Sequence, residues 1–148
     1  MLEGVVEIDE TLIGGANPNR HWNKKVPRCQ VLGILERNGN LVCQVVPNTK
    51  QNTLEPIIET YVKKVNHSAK PKQYVNGEIT TNSIESAWAC LKRSIYGIYH
   101  QVSKEHLPKY VNEFTFRFNT RKHKVQETVE LVLLSSVGKS LTYRELVN

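Results

Sequence analysis

The sequence predicts an α/β domain in which a mixed β-sheet carries flanking helices. Three observations favour this class. The first half holds short runs rich in Val, Ile and Leu that are bounded by turn residues. The second half repeats apolar residues at helical spacing. The order along the chain, strands first and then mainly helices, is typical of a sheet covered by helices. We expect a single domain over residues 1–148.

The predicted strands come first. Gly4–Asp9 is an apolar strand that ends in a carboxylate, and Cys29–Glu36 is the second strand. Asn38 and Gly39 are a strong signal for a two-residue hairpin, so Leu41–Val46 is expected to return antiparallel. A short strand over Val65–Ser68 is a further prediction.

The first predicted helix begins with a capping box over Asn52–Glu55, and its apolar face continues to Val62. Pro56 is tolerated because we place it in the first turn. Ser103 is expected to cap a later helix whose apolar face ends at Phe118, with Phe116 packing on a second side. Two more helices are predicted over Val129–Val137 and from Thr142 to Glu145.

The central predicted helix begins at Thr81 or Ser83, either of which can cap it. Its apolar stripe consists of Ile84, Ala87, Trp88 and Leu91.

A polar stripe runs beside that apolar one. Asn82 and Glu85 are three residues apart and therefore neighbours, and Lys92 lies two turns beyond Glu85 on nearly the same line. Taken alone, this pattern is more typical of an exposed surface helix than of a reactive site.

The amino-acid composition limits the kinds of partner and the cell compartment that fit this chain. The net charge is +6, which favours an anionic partner such as DNA. Cys29, Cys43 and Cys90 are far apart and form no CxxC pair, which fits a reducing cytoplasm. We expect no membrane segment, because no apolar run approaches the length of a span.

Asp9 and Glu85 are the carboxylates that a strand and a packed helix can bring together. Hard oxygen ligands suit Mg²⁺ or Mn²⁺. A pair of such ions activates a water or hydroxyl and stabilises the leaving oxygen in phosphoryl transfer. The basic chain fits a phosphodiester substrate.

The chain resembles the RNase-H-like catalytic domain of bacterial DDE insertion-sequence transposases, of the ISXO-like group. The resemblance covers nearly the whole chain, and its pieces are specific as a set rather than singly. The matching stretches are Gly4–Gly15, Val31–Arg37, Val65–Ser68, Thr81–Glu85 through Trp88, Leu91–Arg93, Ile95–Gly97, Tyr99–His100, Glu113–Phe114, Arg117–Asn119 and Leu141–Tyr143.

That resemblance implies roles for several residues. Asp9 would be the first metal-binding acid and Glu85 the third, with Asn82 as the alternative third ligand. Lys92 would contact the DNA backbone. The implied partners are transposon ends and target DNA, and a homo-oligomer. Further DNA contacts are expected from Arg93, Lys24, Lys25, Arg121, Lys122 and Lys124.

Two departures from the family pattern stand out. Relatives generally carry an N-terminal zinc ribbon, which this sequence does not contain. The middle acid is also missing, because Asp9 is the only aspartate and the glutamates Glu55, Glu59 and Glu78 lie in the first helix or in the approach to the central helix. We therefore expect that one central strand is missing and that strand transfer is defective.

Three functions remain open at this point: a metal-dependent transposase, a DNA-binding remnant without catalysis, and a basic domain with neither activity. A remnant would bind DNA with a steep salt dependence and leave it uncut.

Overall fold

The structure is a computed structural model that describes residues 2, 4–14, 28–62, 81–100, 102–140 and 142. It is an α/β arrangement, as the sequence predicts. Its elements are β1 (Val6–Ile13), β2 (Cys29–Glu36), β3 (Leu41–Val46), α1 (Gln51–Tyr61), α2 (Asn82–Arg93), a π-helical segment (Ser94–Ile98), α3 (Leu107–Asn119) and α4 (Val125–Ser136).

The three strands form an antiparallel sheet in the order β1-β2-β3. The hairpin between β2 and β3 is confirmed, but its two-residue loop is wrong. The Glu36 N–H donates to the Asn40 carbonyl (3.0 Å), which leaves a loop of three residues, 37–39, and Asn38 at its centre takes a positive φ of 65°. The prediction for the first strand is wrong at both ends. β1 starts at Val6 and runs to Ile13, so Asp9 lies in mid-strand, paired with Gly33 of β2, and not at a strand end.

The central strand β2 is buried on both faces, which explains its nearly continuous apolar sequence, whereas Ile8 and Leu12 on one face of β1 are exposed. One face packs against α2 and α3 through Val31 and Leu35. The other packs against α1 through Leu32 and Ile34. Alternation along β1 places Glu7, Asp9 and other odd-numbered residues on the α2 face, since side chains of a strand alternate between its faces.

α1 begins earlier than predicted, and the capping box is wrong. The helix starts at Gln51, and the Asn48 side chain organises the entry: its Oδ1 accepts from the Lys50 backbone N–H (3.0 Å) and the Thr53 hydroxyl (2.8 Å). Pro56 consequently falls in the second turn.

After α1 the chain returns alongside the segment that precedes β1. Val62 forms a parallel bridge with Leu2, and the Leu2 N–H donates to the Tyr61 carbonyl at 2.9 Å. This bridge is the parallel pairing that the described residues contain; the sheet itself is antiparallel. The predicted strand Val65–Ser68 lies outside the described residues.

α3 begins at Leu107, so the Ser103 cap is wrong; the Ser103 backbone carbonyl, not its side chain, accepts from the Leu107 N–H. Phe116 is 37% exposed, which contradicts its predicted packing on a second side.

The end of α3 is fixed to the edge of the sheet by Asn119. Its Oδ1 accepts from the Leu41 N–H (2.8 Å), and its Nδ2 donates to the Leu41 carbonyl (2.9 Å). The side chain thus satisfies an N–H and a carbonyl of β3 as a neighbouring strand would.

α4 confirms the last apolar helix, although it starts four residues earlier than predicted, and Gly138 closes it with a φ of +73°. None of its residues is buried. Of the helix predicted from Thr142 to Glu145, residues 143–145 lie outside the described part of the chain. No helix in the described residues is long and apolar enough to cross a membrane.

Candidate metal and DNA site

Asp9 lies on the face of β1 that α2 covers. Its Oδ2 accepts a hydrogen bond of 3.0 Å from the indole Nε1 of Trp88, which is 5% exposed. Trp88 belongs to the predicted apolar stripe, so the same stripe that packs α2 on the sheet also delivers a donor to the Asp9 carboxylate. One of the two oxygens of Asp9 is therefore engaged by the protein itself.

Gly33 makes this contact possible. It is paired with Asp9 across the β1–β2 ladder, and the Trp88 ring lies over it. A Cβ on Gly33 would lie 2.5 Å from both Cη2 and Cζ2 of Trp88. The absence of a side chain there lets the indole approach the strand closely enough to reach Asp9.

The start of α2 is held by Glu7, a residue that the sequence analysis did not single out. Glu7 is 4% exposed, and its Oε2 accepts from the Ile84 backbone N–H at 2.9 Å. Its Oε1 pairs with the Arg37 guanidinium at 3.3 Å. A distant carboxylate thus caps the helix, which corrects the prediction that the Thr81 or Ser83 side chain would do so.

A signal for Glu7 exists in the sequence. It lies two residues before Asp9 and therefore on the same face of the strand, where Thr11 and Ile13 are also buried. A carboxylate at such a position needs partners, and a helix N-terminus offers them.

Glu85 and Asn82 lie in the first turn of α2, and both are exposed. The Glu85 Oε1 accepts from the Thr81 hydroxyl at 3.1 Å. α2 is held on β1 by neighbours of Glu85. The Ile84 N–H donates to Glu7, and the Trp88 indole donates to Asp9. Among the described residues, no group of three His, Cys, Asp or Glu side chains is arranged to hold a metal ion.

The pattern of the ISXO2-like transposase domain matches residues 1–66 and 62–119. The chain belongs to this family. The two matched segments share residues 62–66 and together take in β1 to β3 and α1 to α3. No curated protein and no solved structure matches the chain. This transposase domain is thus assigned by a family pattern that covers most of its length.

The ligand atoms of this transposase domain are of the type that a hard cation prefers, but there are too few of them. Asp9 and Glu85 offer carboxylate oxygens, which Mg²⁺ and Mn²⁺ prefer. Trp88 and Thr81 already engage one oxygen of each carboxylate. A centre of paired ions needs more anionic ligands than two carboxylates supply, so the described residues do not fit one.

The predicted DNA contacts fall in separate places. Arg93 is exposed and Lys92 half-buried at the end of α2, where the Arg93 Nη2 lies 3.2 Å from the Cys90 Sγ. After α3, Lys122 donates to the Asn38 carbonyl (2.9 Å), and Arg121 stacks on Phe118 with 4.0 Å to the ring centroid. Lys24 and Lys25 lie outside the described residues.

A separate depression of about 290 Å³ lies on α3 and is lined by His106, Lys109, Tyr110 and Glu113. The Tyr99 hydroxyl donates to Glu113 at its side (2.7 Å), and this hydrogen bond raises the pKa of Tyr99. The lining includes neither Asp9 nor Glu85, so the depression is distinct from the α2 site.

Proposed function

We propose that this chain is the DDE-type, RNase-H-like catalytic domain of an insertion-sequence transposase, that it binds DNA, and that it lacks metal-dependent strand cleavage and transfer. Family membership supports the transposase assignment. The loss of catalysis rests on the acids: Asp9 is the only aspartate in the chain, and between Tyr61 and Thr81 the only acid is Glu78.

The position of the break in the family match supports the loss of a strand. The two matched segments overlap at residues 62–66, as expected where a chain departs from its family pattern. At the same place Val62 enters a parallel bridge with Leu2. The resemblance puts the strand with the middle acid after the first helix. We infer that the part of the family's chain that bears the acid is deleted after Val62.

With Asp9 and Glu85 alone, the charge of one of two ions is poorly compensated. Asn82, the alternative third ligand in the first turn of α2, would offer only a neutral amide oxygen and would not compensate that charge. In this proposal the chain's own residues hold α2 on β1, its separate groups of basic residues contact DNA, and none of them carries out strand cleavage.

A strand-transfer assay with Mn²⁺ and duplexes copied from the DNA flanking the gene tests this proposal. We expect no product above that of Asp9→Asn and Glu85→Gln variants. Joined or nicked DNA that wild type makes and both variants fail to make would contradict it.

DNA binding is tested separately by fluorescence anisotropy of a labelled duplex against salt. The slope of log affinity on log salt is about −0.9 per neutralised phosphate. A Lys92→Gln/Arg93→Gln variant should flatten it by about 2 such contacts. Lys50→Gln is the matched control, since Lys50 is exposed where α1 begins, and α1 packs on the opposite face of the sheet from α2. A salt-independent or undetectable affinity would favour the basic domain without DNA binding.

A further inference from the structure

The depression on α3 brings four chemically different side chains together around a space of about 290 Å³. We call it the α3 pocket, and it is lined by His106, Lys109, Tyr110 and Glu113. His106 and Tyr110 are half-buried, whereas Lys109 and Glu113 are exposed. A concave site in which a few polar groups converge beside an aromatic ring is typical of a ligand-binding site, and this volume lies at the small end of the usual range.

Tyr99, which follows the π-helical segment, holds two of these side chains in place. Its ring packs on Tyr110 with the ring centroids 4.6 Å apart and an angle of 65° between the planes. Its hydroxyl donates to the Glu113 Oε2 at 2.7 Å, and the Arg117 Nη1 lies 3.4 Å from the Oε1 of the same carboxylate. The ring and the carboxylate are therefore positioned by their neighbours before a ligand binds.

The order of the lining residues along α3 indicates the kind of ligand. His106 and Lys109 offer an imidazole and an ammonium group where the helix begins, Tyr110 follows with its ring, and Glu113 offers a carboxylate near the next turn. The axial distance from His106 to Glu113 is about 10 Å, since a helix rises about 1.5 Å per residue. A nucleotide carries matching groups in the same order: a phosphate, a flat base, and N–H donors on the edge of that base.

A base that fits the α3 pocket must be unpaired. Inside a duplex each base is covered on both faces by its neighbours, so an aromatic side chain can stack on it only when it leaves the duplex. The double helix itself is too wide to enter a depression of about 290 Å³, because its major groove alone is about 12 Å across.

We propose that the α3 pocket binds one unpaired nucleotide of the DNA, an inference that rests on the DNA binding proposed above. Lys109 and His106 contact the phosphate, and the base stacks against Tyr110. An N–H group of the base donates to Glu113, whose carboxylate can accept hydrogen bonds beyond the two that hold it.

The site lies within reach of DNA held at the end of α2. Arg93, a predicted DNA contact, and Tyr99 are six residues apart on one continuous helical run formed by α2 and the π-helical segment. At the rise of a helix, this separation is about 9 Å. A duplex bound at Arg93 can therefore place a nucleotide from its end in the α3 pocket.

The carboxylate of Glu113 predicts a preference among bases. Guanine presents two adjacent N–H donors on its Watson–Crick edge, which match the acceptors of a carboxylate. Thymine presents one N–H between two carbonyl oxygens, which repel a carboxylate. The pocket should therefore bind an unpaired guanine more tightly than an unpaired thymine.

Fluorescence anisotropy with labelled duplexes tests the proposal. One duplex is fully paired, a second carries one unpaired guanine nucleotide at its 3′ ends, and a third carries it at its 5′ ends. Wild type should bind at least one of the two overhang duplexes about 5-fold or more tighter than the paired duplex, the effect expected when one base stacks on an aromatic side chain. The same overhang with thymine should bind less tightly.

Substitutions at Tyr110 assign the preference to the ring. Tyr110→Phe should keep it, whereas Tyr110→Leu should abolish it, because leucine keeps an apolar side chain against Tyr99 but offers no ring for stacking. Tyr61→Leu is the matched control, since Tyr61 is also a half-buried helical tyrosine but lies on α1, on the opposite face of the sheet. Circular dichroism confirms that the variants keep the wild-type helix content.

Substitutions of the exposed lining residues test the polar contacts without disturbing the core. Lys109→Gln should lower the salt slope by about one phosphate contact for the overhang duplex and leave the slope for the paired duplex unchanged. Glu113→Gln should reduce the discrimination between guanine and thymine overhangs, because an amide has only one acceptor oxygen.

The possible failures can be told apart. Equal affinity of wild type for paired and overhang duplexes would overturn this inference alone. A preference that Tyr110→Leu and Tyr61→Leu change equally, or a salt slope that Lys109→Gln leaves unchanged on the overhang duplex, would also overturn it. Undetectable affinity for every duplex would contradict the proposed DNA binding and this inference with it.

Discussion

Replacing Gly33 with Ala tests the arrangement in which Trp88 reaches Asp9 across a bare backbone. The new Cβ would lie 2.5 Å from the Trp88 ring, whereas ordinary contacts begin at 3.4 Å, so the ring must retreat by about 0.9 Å. Ile84 adds a second tight contact at 3.2 Å to its Cδ1. Overpacking of this kind costs about 1–3 kcal/mol, of which Ala regains about 0.5–1 kcal/mol over Gly in a strand. We expect a net loss of about 1–2 kcal/mol.

Urea denaturation followed by circular dichroism measures this loss. Gly97→Ala is the control, because an added Cβ there meets no atom within 4 Å. It should be neutral or stabilising by up to about 1 kcal/mol, as Ala exceeds Gly in a helical segment.

A double-mutant cycle with Trp88→Phe assigns the effect to the ring. The smaller ring lacks the Cη2 and Cζ2 atoms that the new Cβ meets, so Gly33→Ala should cost about 1 kcal/mol less in that background. Additive costs would refute the reasoning, and so would a Gly33→Ala protein as stable as wild type.

Three further predictions concern residues that hold or bury the site. Glu7→Ala should lower the free energy of unfolding by about 3 kcal/mol in the same assay, because the Ile84 N–H and the Arg37 charge lose their acceptor. Glu7→Gln should lower it less, since the amide oxygen keeps an acceptor for the N–H. Equal losses would refute the role of Glu7 as the cap of α2. Asn119→Ala should lower the free energy of unfolding by about 2 kcal/mol, because two hydrogen bonds to the Leu41 backbone are lost. Asn119→Asp should restore only part of this stability. An Asn119→Ala protein as stable as wild type would contradict the pairing of Asn119 with the edge of β3. Burial raises the pKa of the Cys43 thiol from 9.0 to about 12. Between these two pH values the folded state keeps a proton that the unfolded state loses. The free energy of unfolding should therefore fall by about 1.4 kcal/mol per pH unit in that range. A Cys43→Ala variant should lack this part of the slope, and identical slopes would contradict the burial effect.

Most helices and strands of this domain could be predicted from local patterns of apolar residues. β2, β3 and the central helix could be predicted because their apolar residues recur at strand or helix spacing over a whole element. The first and last residues of these elements were less predictable from the sequence. β1 extends beyond Asp9 because its pairing with β2 continues to Ile13 and Cys29, and Ile13 is buried in the cluster that includes α2 and α3. That burial is a property of the packed sheet and not of the local sequence.

The packing of α2 on β1 was predictable, because both elements have a clear apolar pattern, and the structure has it. The role of Asp9 and Glu85 as metal ligands stays a prediction. The side chains that hold α2 in place were not predictable. The position of Glu7 on the Asp9 face of the strand could be predicted, but its partner could not, because Ile84 is 77 residues away. The role of Asn119 was not predicted for the same reason, since its partner Leu41 lies 78 residues earlier in the chain. Long-range side-chain to backbone bonds of this kind leave no periodic trace.

Calorimetric titration of Mn²⁺ into the full chain, with Asp9→Ala and Glu85→Ala as controls, tests the central claim most directly. The proposed loss of the middle acid predicts fewer than two ions per chain: either no binding, or one weak ion that both substitutions abolish. Two ions bound per chain, with both lost on either substitution, would show that an intact paired-ion centre survives and would contradict the proposed loss of catalysis.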